Sequence, residues 1–315
     1  MNKTFLAHLA LLSLNIIYAA NHLLAKGVTP NHLGPNGFII VRMGTTTLLF
    51  LFIFFLFIRE KVDKRDLPRL AVTGVFGVGL SQLLFFNGIA YTSAMNVGVL
   101  MTSVPIFVVI LSYFILKEKI TKLKGLGVLL GAIGAIALTT AGKQPEFDST
   151  VGDLFIIANA FVFAAYLVLV KPLMSKYRPL TVITYNFLFG LAFILMYPKA
   201  WSDIQAAEFS TFTTEIWLKI GFVVIFATFI TYLLNVFALK FLSPSVSGSY
   251  VYTQPAFVIG LTFLFASIGW TEDFGSSISL AKILYMLMIF AGVFLISRSS
   301  LKERRKREAL EGKIK

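Results

Sequence analysis

Apolar residues fall in long unbroken runs separated by short polar connections, and these runs define the elements. Ten of them, at roughly 5–25, 35–58, 68–90, 94–116, 122–141, 152–171, 179–197, 216–239, 245–268 and 279–298, come close to or exceed the ~20 apolar residues with which a helix crosses a bilayer. The runs are continuous and do not alternate with period two, which excludes a β-barrel. The pattern predicts an all-α membrane protein of ten transmembrane helices. The first run has Lys3 as its only early charge, and no clear small-residue cleavage site follows it. It is therefore expected to remain as a helix and not to be removed as a signal peptide.

Composition supports this reading: 57% of the 315 residues are hydrophobic and 14% are charged, far from the balance of a soluble domain. A net charge of +13 would suggest nucleic acid in a soluble protein, but here the charge is sorted by connection. With the N-terminus in the cytoplasm, the inward segments carry Arg59, Lys61, Lys64, Arg65 and Arg69, then Lys117 to Lys124, then Lys171 to Arg178, and finally the tail from Arg298. That alternation obeys the positive-inside rule with both termini cytoplasmic. The tail is read as a topology anchor touching anionic lipid, and nucleic-acid binding is discounted. The chain has no cysteine, so disulfides and thiolate chemistry are excluded; no cofactor or metal is expected.

The sequence repeats itself. "YAANHLLAK" (18–26) aligns with "FAAYLVLVK" (163–171), "NGIA" (87–90) with "NVFA" (235–238), and Gly98 and Pro105 with Gly248 and Pro255. The pairs stay collinear at offsets of 145 to 150. Residues 1–143 and 150–315 thus form two five-helix units, joined by a hinge near 142–152. An odd number of spans forces the second unit into the membrane upside down, an arrangement associated with secondary transporters that bind substrate between the halves.

Two five-helix halves, Arg42 early in the second span ("IIVRMG"), the "P…LKEK" ending from Pro105 to Lys119 and a glycine-rich fifth span together resemble the EamA-type branch of the drug/metabolite transporter superfamily. The resemblance covers about residues 5–298. Two positions depart from internal symmetry: the place matching Glu118 holds Ile268, and Arg42 has no basic counterpart near Tyr185 and Asn186.

Polar side chains within spans are costly and normally face a protein interior or a wet cavity. The substrate-binding candidates are His22, Gln82, Asn87, Asn96, Thr102, Tyr166, Lys171, Tyr232, Asn235, Tyr250 and Gln254. Each of them could instead be hydrogen-bonding glue between helices. Pro105 and Pro255 occupy the same internal place, where proline frees a carbonyl and kinks the helix; with Lys26 they are the gating candidates. Lys26 and Lys171, related by the repeat, could guard the two mouths of a path or simply snorkel to headgroups. Arg42 stays charged and needs a partner, a lipid headgroup or a substrate anion. A role between helices is its simpler reading.

No acid falls centrally in a span, which argues against a proton-driven exporter of cationic drugs. Lysines, amides and tyrosines suit a zwitterion or anion. The expected function is export of small polar metabolites, amino acids above all, across the cytoplasmic membrane by alternating access, with facilitated diffusion as the default. The alternatives are a drug, quaternary-ammonium or nucleotide-type transporter of the same fold, a lipid scramblase, or a membrane enzyme; the last lacks any clustered His and acid in the sequence. Helices five and ten are poor in polar residues, and the fifth carries closely spaced glycines. They are expected at the periphery, where they could form a homodimer face.

Overall fold

The computed structural model describes residues 3–24, 32–92, 94–140, 150–267 and 280–311. No strand occurs among them. The helices are α1 (Lys3–Leu24), α2 (Pro35–Ile58), α3 (Lys64–Ile89), α4 (Ala94–Leu100 and Ser103–Leu116), α5 (Lys122–Thr140), α6 (Thr150–Lys176), α7 (Pro179–Leu195), α8 (Pro198–Gln205), α9 (Thr214–Phe241), α10 (Pro244–Ser249 and Gln254–Ser267) and α11 (Leu280–Glu311). Among the described residues, seven helices are long and apolar enough to cross a membrane. An eighth is added if α7 and α8, bent by 79°, count as one span. The sequence pattern led us to expect ten.

The interruptions have local causes. α3 and α9 each widen into a π-turn at mid-length, at Val75–Leu80 and Ile225–Ile230. α4 breaks at Met101 and Thr102, just ahead of Pro105, and α10 tightens into a 3-10 turn at Tyr250–Thr253 ahead of Pro255. A proline cannot donate the backbone bond that would carry the preceding turn. Both pairs of interruptions are separated by 150 residues.

Packing partners exchange between the halves. α1 lies on α9 and α10, while α6 lies on α3 and α4. The matched helices α2 and α7, α4 and α10, and α5 and α11 pack on one another, and each of these pairs runs antiparallel. In α5 and α11, Gly127 faces Gly292 and Ile296 whereas Gly134 faces Tyr285 and Ile289. A Cβ on Gly292 would stand 2.6 Å from the Gly127 carbonyl oxygen, so glycine is what permits this approach. In α4 and α10, Gly248 meets Val108 while Ser245 bonds Glu118 further along.

For α2 and α7 the ends are tied by reciprocal caps. Pro35 and Pro179 open the two helices, their fixed φ suiting the first turn. Glu60, just past the end of α2, accepts hydrogen bonds from Arg178 N (3.0 Å) and Thr181 Oγ1 at the start of α7. Asp203 on α8, past the end of α7, accepts from Asn36 N (2.9 Å) and Gly37 N (3.2 Å) at the start of α2. Each acid satisfies N–H groups that a helix start leaves without partners and sits at the positive end of the macrodipole. Glu60 and Asp203 are 143 residues apart, just short of the repeat offset.

Beyond α8, Phe209, Phe212 and Trp217 stack together, and Trp201 is partly exposed. α5 and α11 turn Leu126, Leu129 and Ile133, and Leu287, Phe290 and Phe294, outward.

Candidate functional site

Polar side chains from both halves meet the backbone at the two π-turns. A π-turn displaces the normal i→i+4 ladder and leaves a carbonyl in need of donors. In α3 that carbonyl is Gly77, which accepts from Ser81 Oγ (3.0 Å) within the helix and from Tyr232 Oη (2.9 Å) of the other half. In α9 it is Ala227, which accepts from Thr231 Oγ1 (2.9 Å) within the helix and from Arg42 Nη2 (3.3 Å) of the other half. Gly77 and Ala227, and Ser81 and Thr231, are repeat counterparts. So are Gln82 and Tyr232, and these two bond each other directly, Gln82 Nε2 to Tyr232 Oη at 3.0 Å. The Gln82–Tyr232 contact therefore lies where the two halves meet on equal terms.

Arg42 supplies the charge. It is buried to 6% exposure. Its Nε donates to Thr228 Oγ1, its Nη1 to Gln82 Oε1 (3.3 Å), and its Cζ lies 5.8 Å from the Phe86 ring centroid. Thr228 is held in turn by donating to the Val223 carbonyl, five residues back, at 2.8 Å. Tyr18 of α1 lies beside Thr231 and within electrostatic reach of Arg42. No carboxylate pairs with Arg42 among the described residues. The guanidinium has five N–H donors, and three direct hydrogen bonds leave two of them without a partner among the described residues. Two further groups nearby on the same helix faces are buried without a partner: Thr46 Oγ1, one turn from Arg42 on α2, and Asn21 Oδ1, one turn from Tyr18 on α1.

The sequence candidates are distributed unevenly. Gln82 and Tyr232 are at the centre, and Asn235 follows Tyr232 one turn on, also buried. Tyr166 is fully buried with its ring against Gly77. Asn87 bonds Asn36 Oδ1 (2.8 Å) near the start of α2, towards the Asp203 cap. Thr102 turns its hydroxyl back onto the Val99 carbonyl at 2.6 Å. Tyr250 and Gln254 lie against α1, bonding His8 Nδ1 (2.8 Å) and Asn15 Oδ1 (3.0 Å). Lys171 donates to the terminal carbonyls of α9, Leu239 O and Leu242 O (2.6 Å for the latter), which is how a lysine ends a helix favourably. Pro105 and Pro255 lie just beyond the helix breaks. Lys26 lies outside the described residues, as do the side chains of His22 and Asn96.

Arg42, read from the sequence as a charge acting between helices, is a hub of the contact between the halves. Lys124 escapes a reading of the sequence: the charge pattern counts it as a surface anchor, but it is 1% exposed. Its ammonium reaches Glu118 (3.1 Å) and Glu303 (3.5 Å), and Ser245 Oγ donates to the same Glu118 oxygen at 2.8 Å. The repeat marks Glu118 as asymmetric, but nothing in the sequence signals that Lys124 is buried. No group of His or acids able to hold a metal ion occurs among the described residues.

Comparison with known proteins adds the family context. The model of the EamA-like transporter family matches residues 5–140 and 150–298. The chain is 25% identical over 304 residues to the uncharacterized transporter YyaM of Bacillus subtilis, covering 94% of this chain and 97% of that one. It is 28% identical over 201 residues to an uncharacterized transporter of Archaeoglobus fulgidus, covering 64% and 69%. It is 26% identical over 242 residues, 76% of each chain, to a protein of Streptantibioticus cattleyicolor named a probable terminal-alkyne amino-acid exporter. A crystal structure at 16% identity superposes with a TM-score of 0.71 over 95% of this chain and 98% of its own, which speaks to the fold.

Proposed function

The chain belongs to the EamA-like transporter family, and from that premise we propose that this multi-pass membrane protein exports small polar metabolites, most of all amino acids and related zwitterions or anions, across the cytoplasmic membrane by alternating access. In this reading the chain crosses the membrane ten times as two inverted five-helix units, with both termini cytoplasmic and the substrate site between the units. The antiparallel pairing of α2 with α7, α4 with α10 and α5 with α11 supports the inversion. The observation that carries the function is the polar centre itself. Arg42, Gln82, Thr228 and Tyr232 meet from both halves at two opened helix turns, the kind of irregular backbone that membranes tolerate where a substrate or a cavity is served.

Alternating access follows from that placement. If substrate sits where the halves meet on equal terms, rocking one half against the other exposes it to one side and then the other. The helix breaks before Pro105 and Pro255 and the two π-turns are the places where such rocking can be absorbed. A buried cation at the centre also disfavours the alternative cargo of lipophilic cations. The exporter named for an amino acid among the relatives points the same way.

The test is flux. Purified protein in liposomes should move a labelled member of an amino-acid panel well above protein-free vesicles. Uptake equal to empty vesicles across amino acids, nucleobases and carboxylates would remove the reading.

A further inference from the structure

We propose that Arg42 is the specificity-determining anchor for a carboxylate on the substrate, and that the protein discriminates against molecules lacking that group. The inference rests on the transport reading only for its physiological setting; binding can be measured without it. The argument starts from cost. An arginine cannot shed its proton, and taking a charge out of water without a counter-charge costs several kcal/mol even after the surroundings relax. Arg42 is 6% exposed, and no acid pairs with it among the described residues. Its three hydrogen bonds go to neutral acceptors, Thr228 Oγ1, Gln82 Oε1 and Ala227 O. Neutral dipoles hold the fork in place without cancelling its charge.

A part built only to tie helices would not need a charge here. The repeat supplies the control: the position corresponding to Arg42 in the second half lies at Tyr185 and Asn186, and Asn186 makes its interhelix contact as a neutral amide, accepting from Thr73 Oγ1 at 2.8 Å. The same job is thus done in α7 without a cation. What Arg42 adds is two N–H groups without a partner among the described residues; one turn along α2, the buried Thr46 hydroxyl also has no partner. A carboxylate accepts two parallel N–H bonds from a guanidinium, the strong bidentate arrangement, and can take a third bond from a hydroxyl. Asn21 Oδ1, a buried acceptor without a partner on α1, offers a place for a substrate ammonium.

The experiment compares matched ligands on the detergent-purified full chain and in liposomes. Amino acids, the carboxylic acids lacking the amino group and the amines lacking the carboxylate are ranked by the rise in melting temperature and by competition for flux. The carboxylate-bearing compounds should stabilise the wild-type protein and the amines should bind about tenfold or more weakly, the loss expected for one charge-assisted contact. Arg42→Gln should lose that preference while its own melting temperature stays level or rises, because a buried unpaired charge has been removed. Arg42→Lys, which keeps the charge but not the fork, should retain weakened carboxylate binding. Amines that bind as well as acids, an Arg42→Gln protein that keeps wild-type carboxylate preference, or an Arg42→Gln protein that melts well below wild type while Arg42→Lys binds carboxylates normally would each overturn the proposal. Loss of flux for every ligand with carboxylate stabilisation intact would sink transport and leave the anchor standing.

Discussion

The π-turns of α3 and α9 occupy the same place in the two halves yet receive different guests. The Gly77 carbonyl is met by a neutral phenol from Tyr232, and the Ala227 carbonyl by the guanidinium of Arg42. The backbone devices are duplicated: opened turns, breaks ahead of Pro105 and Pro255, prolines opening α2 and α7, and Glu60 and Asp203 capping the opposite half. The charged devices are not. Arg42 faces Asn186 across the repeat, and Glu118 corresponds to Ile268. On the proposed function the contrast separates two tasks: the duplicated backbone devices would let the halves rock alike, while the charge that would recognise one particular molecule comes from one half.

The largest effect should come from an asymmetric ionic feature. Replacing Lys124 by Met leaves Glu118 and Glu303 close together in a buried site without their shared cation, a change of about 3–5 kcal/mol by analogy with broken buried ion pairs. Thermal unfolding in detergent should show a markedly less stable protein, and Lys124→Arg should recover most of the loss. If Lys124→Met melts like wild type, the cluster does not fasten α4 and α5 to α10 and α11.

An intermediate effect is expected where the halves meet. Tyr232→Phe removes the hydrogen bonds to Gly77 O and from Gln82 Nε2 while keeping the ring packed on Phe187. A neutral hydrogen bond is worth roughly 1 kcal/mol, so the melting temperature should fall modestly while flux falls several-fold. Gln82→Leu frees one more donor of Arg42, and should weaken carboxylate binding more than Tyr232→Phe does. Equal ligand affinity in both variants would break the assignment of Gln82 as the link between the charge and the axis.

How much of this could be read from the sequence depends on the kind of relation involved. Identities at offsets of 145 to 150 expose the repeat, since apolar helices tolerate substitution but prolines and glycines at special backbone positions do not. The offset also marks Gln82 and Tyr232 as equivalent, but not that they touch, because equivalence under a repeat says nothing about distance from its axis. Lys171 and Lys124 look like solvated basic residues in a charge count; only packing shows that one caps α9 and the other is enclosed. Tyr250 and Gln254 have the composition of site residues and are taken up by His8 and Asn15 of α1.

The smallest effect should be the most symmetric. Glu60→Gln and Asp203→Asn each weaken a helix cap and its dipole interaction, worth about 1 kcal/mol or less. If the halves are equivalent in their scaffold, the two variants should lose similar amounts in thermal unfolding. A loss confined to one of them would mean that the reciprocal caps are not a shared device.

The most direct measurement uses the absence of native cysteine. Phe86, which faces the Arg42 guanidinium, can be replaced by a single reporter, Phe86→Cys, and exposed to a membrane-impermeant thiol reagent in vesicles of either orientation. The account predicts labelling from both faces of the membrane, slowed by a carboxylate-bearing substrate, with that protection lost when Arg42→Gln is added. Labelling from one face only, or from neither, would contradict a centre that the two halves open to each side in turn.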